Sequence, residues 1–160
     1  LTGHENQNGT IAVNAGVEIQ QGERFPFGRN WSAFLRNVDE PVIERAQQSL
    51  LEFLELDDLH GSSFVDAGSG SGLFSLSARR LGARVCSFDF DAESVACTRA
   101  LKERFFPDDS DWRIEQLSVL DDKLGEKLGR FDVVYCWGVA HHTGQMWKAL
   151  DNVARLLEEG

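Results

Sequence analysis

The sequence is short of positive charge. Its 16 lysines and arginines stand against 26 aspartates and glutamates, a formal net charge of −10, and a field of that sign repels polyphosphate backbones. Nucleic acid is therefore not an expected partner, and only a local basic patch would change that. No stretch approaches the roughly 20 consecutive apolar residues that cross a bilayer, so no membrane partner is expected. The chain does not open on a basic segment followed by an apolar one, so it shows no secretory signal. The default expectation is a cytoplasmic protein, with Leu1 implying a processed or trimmed start. Cysteine is scarce as well. Cys86, Cys97 and Cys136 show no C-x-x-C spacing, which disfavours both a disulfide framework and a zinc site. They read as buried free thiols acting as small apolar residues, and no metal site is expected.

What remains is a chain of 160 residues, 42% apolar and 26% charged, long enough for one domain with a real core. Residues 1–24 are rich in Gly, Asn and Gln without a sustained period and read as a flexible arm. Residues 25–58 read as a lid and a helix. Phe25, Phe27, Trp31 and Phe34 crowd around Pro26 and Gly28, ahead of a helix introduced by Asp39 and Pro41. Val42, Ile43, Ala46, Leu50, Phe53 and Leu54 recur at helical spacing and give that helix one apolar face.

From residue 59 to 160 short apolar runs alternate with helical stretches. SSFVDA, ARVCSFD, DWRIEQLSV and RFDVVYCWGV read as strands, with GLFSLSARRLG, AESVACTRALKERFF, the short DDKLGEKLG and GQMWKALDNVARLLEEG as helices or turns. This alternation predicts an α/β fold, a doubly wound parallel sheet with strand order 3-2-1-4 and an N-terminal helical cap. The fourth strand is apolar enough to be interior, yet nothing follows to flank it. It is either a bare edge or the sign of a fragment of a longer protein, and the fragment is the favoured reading. A bare edge, with an apolar face from Val133, Val134 and Tyr135 left partly uncovered, invites pairing with another copy or with the N-terminal arm.

The first strand runs into Asp66-Ala67-Gly68-Ser69-Gly70-Ser71-Gly72, at the sheet end where open parallel folds bind ligands. Glycines at every second position allow positive φ and close approach of a ligand. The dinucleotide fingerprint G-x-G-x-x-G is missed, because Leu73 stands where its third small residue belongs; the P-loop is missed because no lysine follows. Asp66 would repel a pyrophosphate but suits a ligand with ammonium and sulfonium charges, such as S-adenosylmethionine. Asp89 closes the second strand, where nucleotide folds place an acid on ribose hydroxyls.

With the glycine loop, Asp89 in SFDFD, the SVLDD segment and FDVVYCWGVAHHTGQMWKAL all in order, residues 60–160 resemble the class I S-adenosylmethionine-dependent methyltransferases, in their small-molecule branch. RFPFGRNW also resembles the leader of one bacterial branch. The resemblance implies a Rossmann-like fold, S-adenosyl-L-methionine as cofactor, S-adenosyl-L-homocysteine as product, and a small-molecule oxygen or nitrogen as methyl acceptor. Family members continue into three further strands that this sequence lacks. A leucine usually precedes the paired histidines; Ala140 takes that place here and implies a roomier pocket wall.

By the same resemblance, Asp66, Gly68, Ser69, Gly70 and Gly72 hold the aminoacid end of the cofactor and Asp89 its ribose. Phe90 and Leu120 flank the adenine, the backbone at Val119 and the acid of Asp121 meet its edge, and Trp137 faces the site. Asp66 and Asp89 also read as plain turn or cap acids. Asp121 competes with Asp122, and either suits a helix cap. His141 and His142 stand where the fourth strand gives way to its loop, as a general base or substrate-orienting pair, His142 ahead, or as ordinary loop residues. Phe27 and Trp31 read as a lid or as a staple for the first helix, and Trp147 as a substrate contact or core residue. A non-catalytic or partner-completed cofactor-binding module is the alternative function, with a nicotinamide oxidoreductase third.

Overall fold

The computed structural model describes residues 36–159; the arm, the lid aromatics Phe25, Phe27, Trp31 and Phe34, and Gly160 lie outside them. The first described helix, α1 (Glu40–Leu54), starts where Asp39 accepts a hydrogen bond from the Val42 N–H at 3.1 Å and Pro41 occupies the first turn. Such a cap contributes about 1 kcal/mol. Ile43, Ala46 and Leu50 form its buried stripe. Phe53, expected on that stripe, is 62% exposed. Leu54 takes the inward place after Leu50, and Phe53 turns aside to meet the Trp137 ring edge-on at 5.6 Å.

Then follow β1 (Ser63–Ala67), α2 (Leu73–Arg80), β2 (Arg84–Asp89), α3 (Ala92–Phe105), β3 (Trp112–Gln116), α4 (Leu124–Leu128), β4 (Val133–Tyr135), a 3-10 turn (Ala140–His142) and α5 (Met146–Ala154). The strands form one sheet in the order β3-β2-β1-β4, parallel at every pairing, as the alternation of elements predicts. Successive side chains point to opposite faces, and the sequence uses both. Phe64, Val85, Trp112 and Tyr135 pack with Ile43, Leu50 and Leu76 on one face. Val65, Ala67, Cys86 and Phe88 pack with Leu124, Ala149 and Val153 on the other. Each fully buried large side chain contributes about 1.5–3 kcal/mol, so a sheet covered on both faces needs no other source of cohesion.

Three elements are shorter than their sequence pattern. β3 stops at Gln116, and β4 is three residues long because β1, its neighbour, pairs only from Phe64 to Asp66 along it. α5 ends at Ala154. Residues after it turn back beside the entry to β4: Phe131 N–H donates to Leu156 O at 2.8 Å and Glu158 N–H to Phe131 O at 2.9 Å. Apart from that bridge, the outer edge of β4 has no strand partner among the described residues. Its faces are better covered than the pattern implied, since Tyr135 is buried and Val133 and Val134 are half-buried. At the same end of the strands, Ser63 and Asp132 tie β1 to β4 through three hydrogen bonds of 2.7–2.9 Å.

Candidate functional site

The loop between β1 and α2 is held from every side. Gly68 and Ser69 both donate their N–H groups to the Phe88 carbonyl, at 2.8 and 3.1 Å. The Ser69 hydroxyl meets the Thr98 hydroxyl at 3.1 Å, and Thr98 donates to the Gly70 carbonyl at 3.3 Å. Gly70 donates its N–H to Asp89 Oδ2 at 3.0 Å, while Asp89 Oδ1 accepts from the Asp91 N–H at 2.9 Å. The loop and the acid that closes β2 therefore form one unit, as the sequence pattern anticipates.

The glycines have different neighbours. A Cβ on Gly68 would lie 2.4 Å from Val139 Cγ2, and one on Gly72 would lie 2.8 Å from Thr98 Cγ2, both at positive φ. Their smallness is thus explained by protein packing: the loop after β4 crosses at Gly68 and α3 presses on Gly72. Gly70 also has a positive φ, 54.

Asp66 does not line an open cleft. It is 3% exposed and accepts a 2.6 Å hydrogen bond from the Ser75 hydroxyl. Burial pushes its carboxyl up to about 7, the Ser75 hydroxyl pulling it back and the Asp89 charge adding to the rise. The charge argument made from the sequence assumed an ionised group, and a carboxyl near 7 is ionised only in part at neutral pH.

Beyond β3, Gln116 donates to the Phe90 carbonyl at 3.2 Å and steadies that residue beside Asp89. Val119 is buried, its carbonyl accepting from Asn152 Nδ2 at 3.1 Å, and Leu120 is half-buried. Asp121, expected at the adenine, has other partners here. Its Oδ1 accepts from the Lys123 N–H at 2.9 Å and its Oδ2 from Lys127 Nζ at 2.6 Å. Burial raises this carboxyl, but the lysine and backbone donors outweigh it and hold it below the usual range. These bonds hold Asp121 in the turn that leads into α4, whose own N-cap position is Lys123. Asp122 is bound to Lys148 at 3.1 Å and is no better placed. An open groove of about 350 Å³ near α4 and α5 takes in Asp121, Asp122, Arg130 and Asn152, and no residue of the glycine loop.

Trp137 is 64% exposed against Phe53, and Trp147, 77% exposed, is not a core residue. His141 and His142 occupy the exposed 3-10 turn that follows Val139, their rings 3.9 Å apart. Because Val139 packs on Gly68, this turn stands beside the glycine loop. Burial, and then the His141 charge, lower the His142 imidazole, which favours its neutral, proton-accepting form. Among the described residues no three His, Cys, Asp or Glu side chains cluster as a metal site would require. None of the three cysteines is in a disulfide; two are buried and Cys136 is half-buried.

Thr98, Ser75 and Gln116 were not singled out from the sequence. Their signal is a polar residue on an inward helical position, or at a strand end in register with Asp89.

Residues 65–160 match a family described as methyltransferase domain. The chain is 34% identical over 103 residues to a ubiquinone biosynthesis O-methyltransferase of Xanthomonas oryzae pv. oryzae, covering 64% of this chain and 41% of that protein. The corresponding protein of Xanthomonas axonopodis pv. citri is 32% identical over 100 residues, covering 62% and 40%. The chain thus spans about two fifths of the length of these relatives. Among solved structures, the magnesium protoporphyrin IX methyltransferase of Synechocystis with bound S-adenosylmethionine aligns at TM-score 0.59 and 22% identity, over 78% of this chain and 59% of that one. A Burkholderia thailandensis 1,6-didemethyltoxoflavin-N1-methyltransferase aligns at TM-score 0.52 and 19% identity, over 99% and 61%. These two likenesses bear on the fold. With the family match covering the loop, Asp89 and the turn after β4, the chain belongs to the methyltransferase domain family.

Proposed function

We propose that this chain is the cofactor-binding part of an S-adenosylmethionine-dependent methyltransferase acting on a small molecule at oxygen or nitrogen, with S-adenosylhomocysteine as product. The observation that carries the reading is the union of the glycine loop, Asp89 and the Val139 turn at one end of the sheet. An oxygen acceptor is favoured by the names of the Xanthomonas relatives.

The residues fit the cofactor. A carboxylate offers about four lone-pair sites; those of Asp89 meet the Gly70 and Asp91 N–H groups and, in this reading, also the ribose hydroxyls. Gly70 brings the backbone close without a side chain. Phe90, Val119 and Leu120 supply the apolar surface for a flat base. When bound, S-adenosylmethionine supplies a methyl group already activated on a sulfonium, so the protein's work is to bind, align and exclude water. In this reading Trp137 bounds the acceptor side, and His142 takes the proton of a hydroxyl nucleophile or orients it, with His141 supporting it. A reducing, cytoplasmic setting, in which cysteines stay out of disulfides, is part of the proposal, as is self-association through the outer edge of β4. No helix among the described residues is long and apolar enough to cross a membrane.

Calorimetry with S-adenosylmethionine, S-adenosylhomocysteine and NAD tests the cofactor. Binding of the first two and not the third is expected; NAD binding alone overturns the reading. Turnover with a phenolic acceptor, lost in His142→Ala while cofactor affinity persists, tests catalysis. Binding without turnover in the protein and in longer versions of it would make the chain a non-catalytic module.

A further inference from the structure

Beneath the glycine loop runs a line of four buried side chains that the proposed reaction does not use. Trp112 Nε1 donates to Ser87 Oγ at 2.8 Å, Ser87 Oγ to Ser75 Oγ at 2.7 Å, and Ser75 Oγ to Asp66 Oδ2 at 2.6 Å. Asp66 is 3% exposed, Trp112 1%, and the two serines are fully buried. The line crosses from β3 through β2 to the first turn of α2 and ends on β1, two residues before Gly68.

The hydrogen bonds run in one direction. The indole N–H can only donate; the Ser87 hydroxyl accepts there and donates to Ser75, and the Ser75 hydroxyl donates to Asp66. The acid at the end accepts at Oδ2. The titratable groups around it are Asp89 and Cys86 on β2 and Tyr135 and Cys136 at β4, all of which raise or share the acidic load. None is a cation, and Asp66 makes no ion pair among the described residues. Burial without a cation favours the protonated form of a carboxyl, and a nearby cation favours the ionised one.

We propose that the Trp112–Ser87–Ser75 line poises Asp66 so that a cationic cofactor settling on the glycine loop drives one proton off that buried carboxyl. The inference rests on the S-adenosylmethionine reading above. The O–H bond of the Asp66 carboxyl breaks, the proton leaves to solvent, and the carboxylate is balanced by the ligand's positive charge while Ser75 goes on donating to it. The value of about 7 for Asp66 places this exchange in the neutral range. Ser75, Ser87 and Trp112 are then positioning residues, acting through Asp66.

The test has two readouts. Carbon-detected NMR of the Asp66 carboxyl in the ligand-free protein gives its titration. Calorimetry with S-adenosylmethionine, in buffers of different ionisation enthalpy from pH 5 to 8, gives affinity and protons released. Expected is an affinity that weakens by up to about tenfold per pH unit below the Asp66 inflection, with proton release that vanishes in Asp66→Asn. Ser75→Ala should move the NMR inflection to higher pH, and Trp112→Phe, which keeps the ring and loses the N–H, should move it the same way by less. Ser87→Ala probes the same link if Trp112→Phe does not fold. A role in packing alone would lower the melting temperature and leave the inflection in place, which overturns the proposal. Binding with a flat pH profile overturns it too and leaves the cofactor reading standing. No binding at any pH overturns both, and the NMR titration still reports whether the line governs Asp66.

Discussion

Gly70 donates its backbone N–H to the Asp89 carboxylate at 3.0 Å, so the ligand loop and the acid expected to contact the ribose are set by one another. Asp89→Ala should weaken S-adenosylhomocysteine binding by about 1–3 kcal/mol, the scale for losing hydrogen bonds to a charged group. Calorimetry measures it, and unchanged affinity would remove Asp89 from the site. Gly70→Val should abolish binding in a protein that keeps its circular dichroism, since a β-branched residue disfavours the φ of 54.

Gly68 and Val139 are coupled by space. An alanine at Gly68 would bring its Cβ to 2.4 Å from Val139 Cγ2, and overpacking of this kind costs about 1–3 kcal/mol. Val139→Ala removes the clashing methyls, so the double substitution should be less destabilised than the sum of the singles by about 0.5 kcal/mol or more in denaturant melts. Strict additivity would show that the two do not touch in solution.

The pH dependence of stability should carry two opposed contributions. Asp109 is drawn below the carboxylate range because Arg79, at 2.6 Å, outweighs burial. Its contribution is present above the unfolded value of about 3.9 and is lost as pH falls through the folded one. Asp66 is raised to about 7, so its contribution is present below the unfolded value and is lost as pH rises toward 7. Asp109→Asn should therefore flatten the acid side of a melting-temperature profile, and Asp66→Asn the neutral side. Identical profiles in Asp66→Asn and the parent would mean that Asp66 titrates as an ordinary surface acid.

The outer edge of β4 carries one bridge, Phe131 to Leu157, among the described residues, and unpaired edges recruit strands. Sedimentation of the 160-residue chain should show concentration-dependent self-association, reduced by Val133→Lys. A chain that stays monomeric across concentrations would show the edge to be covered.

The sheet was legible because its period is strict: Phe64 and Val65, Val85 and Cys86, face opposite layers, as alternating strands between helices require. Asp89 and the glycine loop were legible because their spacing is local. What escaped depended on tertiary neighbours. The reason for Gly68 lies at Val139, and that for Gly72 at Thr98, both distant in sequence. Asp121 carried two compatible meanings, and its ion pair with Lys127, six residues on, could not be read from the spacing. Phe53 obeys the helical period yet leaves the core because an aromatic partner, Trp137, waits at the rim. Ser87 and Ser75 have no role assigned from the sequence, because only tertiary contacts join them to Trp112 and Asp66.

The double hold of Gly68 and Ser69 on the Phe88 carbonyl has a kinetic meaning. Amides that close a loop onto the central strand of a sheet exchange with solvent only when that strand opens. In deuterium exchange these two should be among the slowest in the chain, with protection close to that of β1 itself. A receptor loop so protected has lost its freedom at the folding step. Association then demands little further ordering of the loop itself.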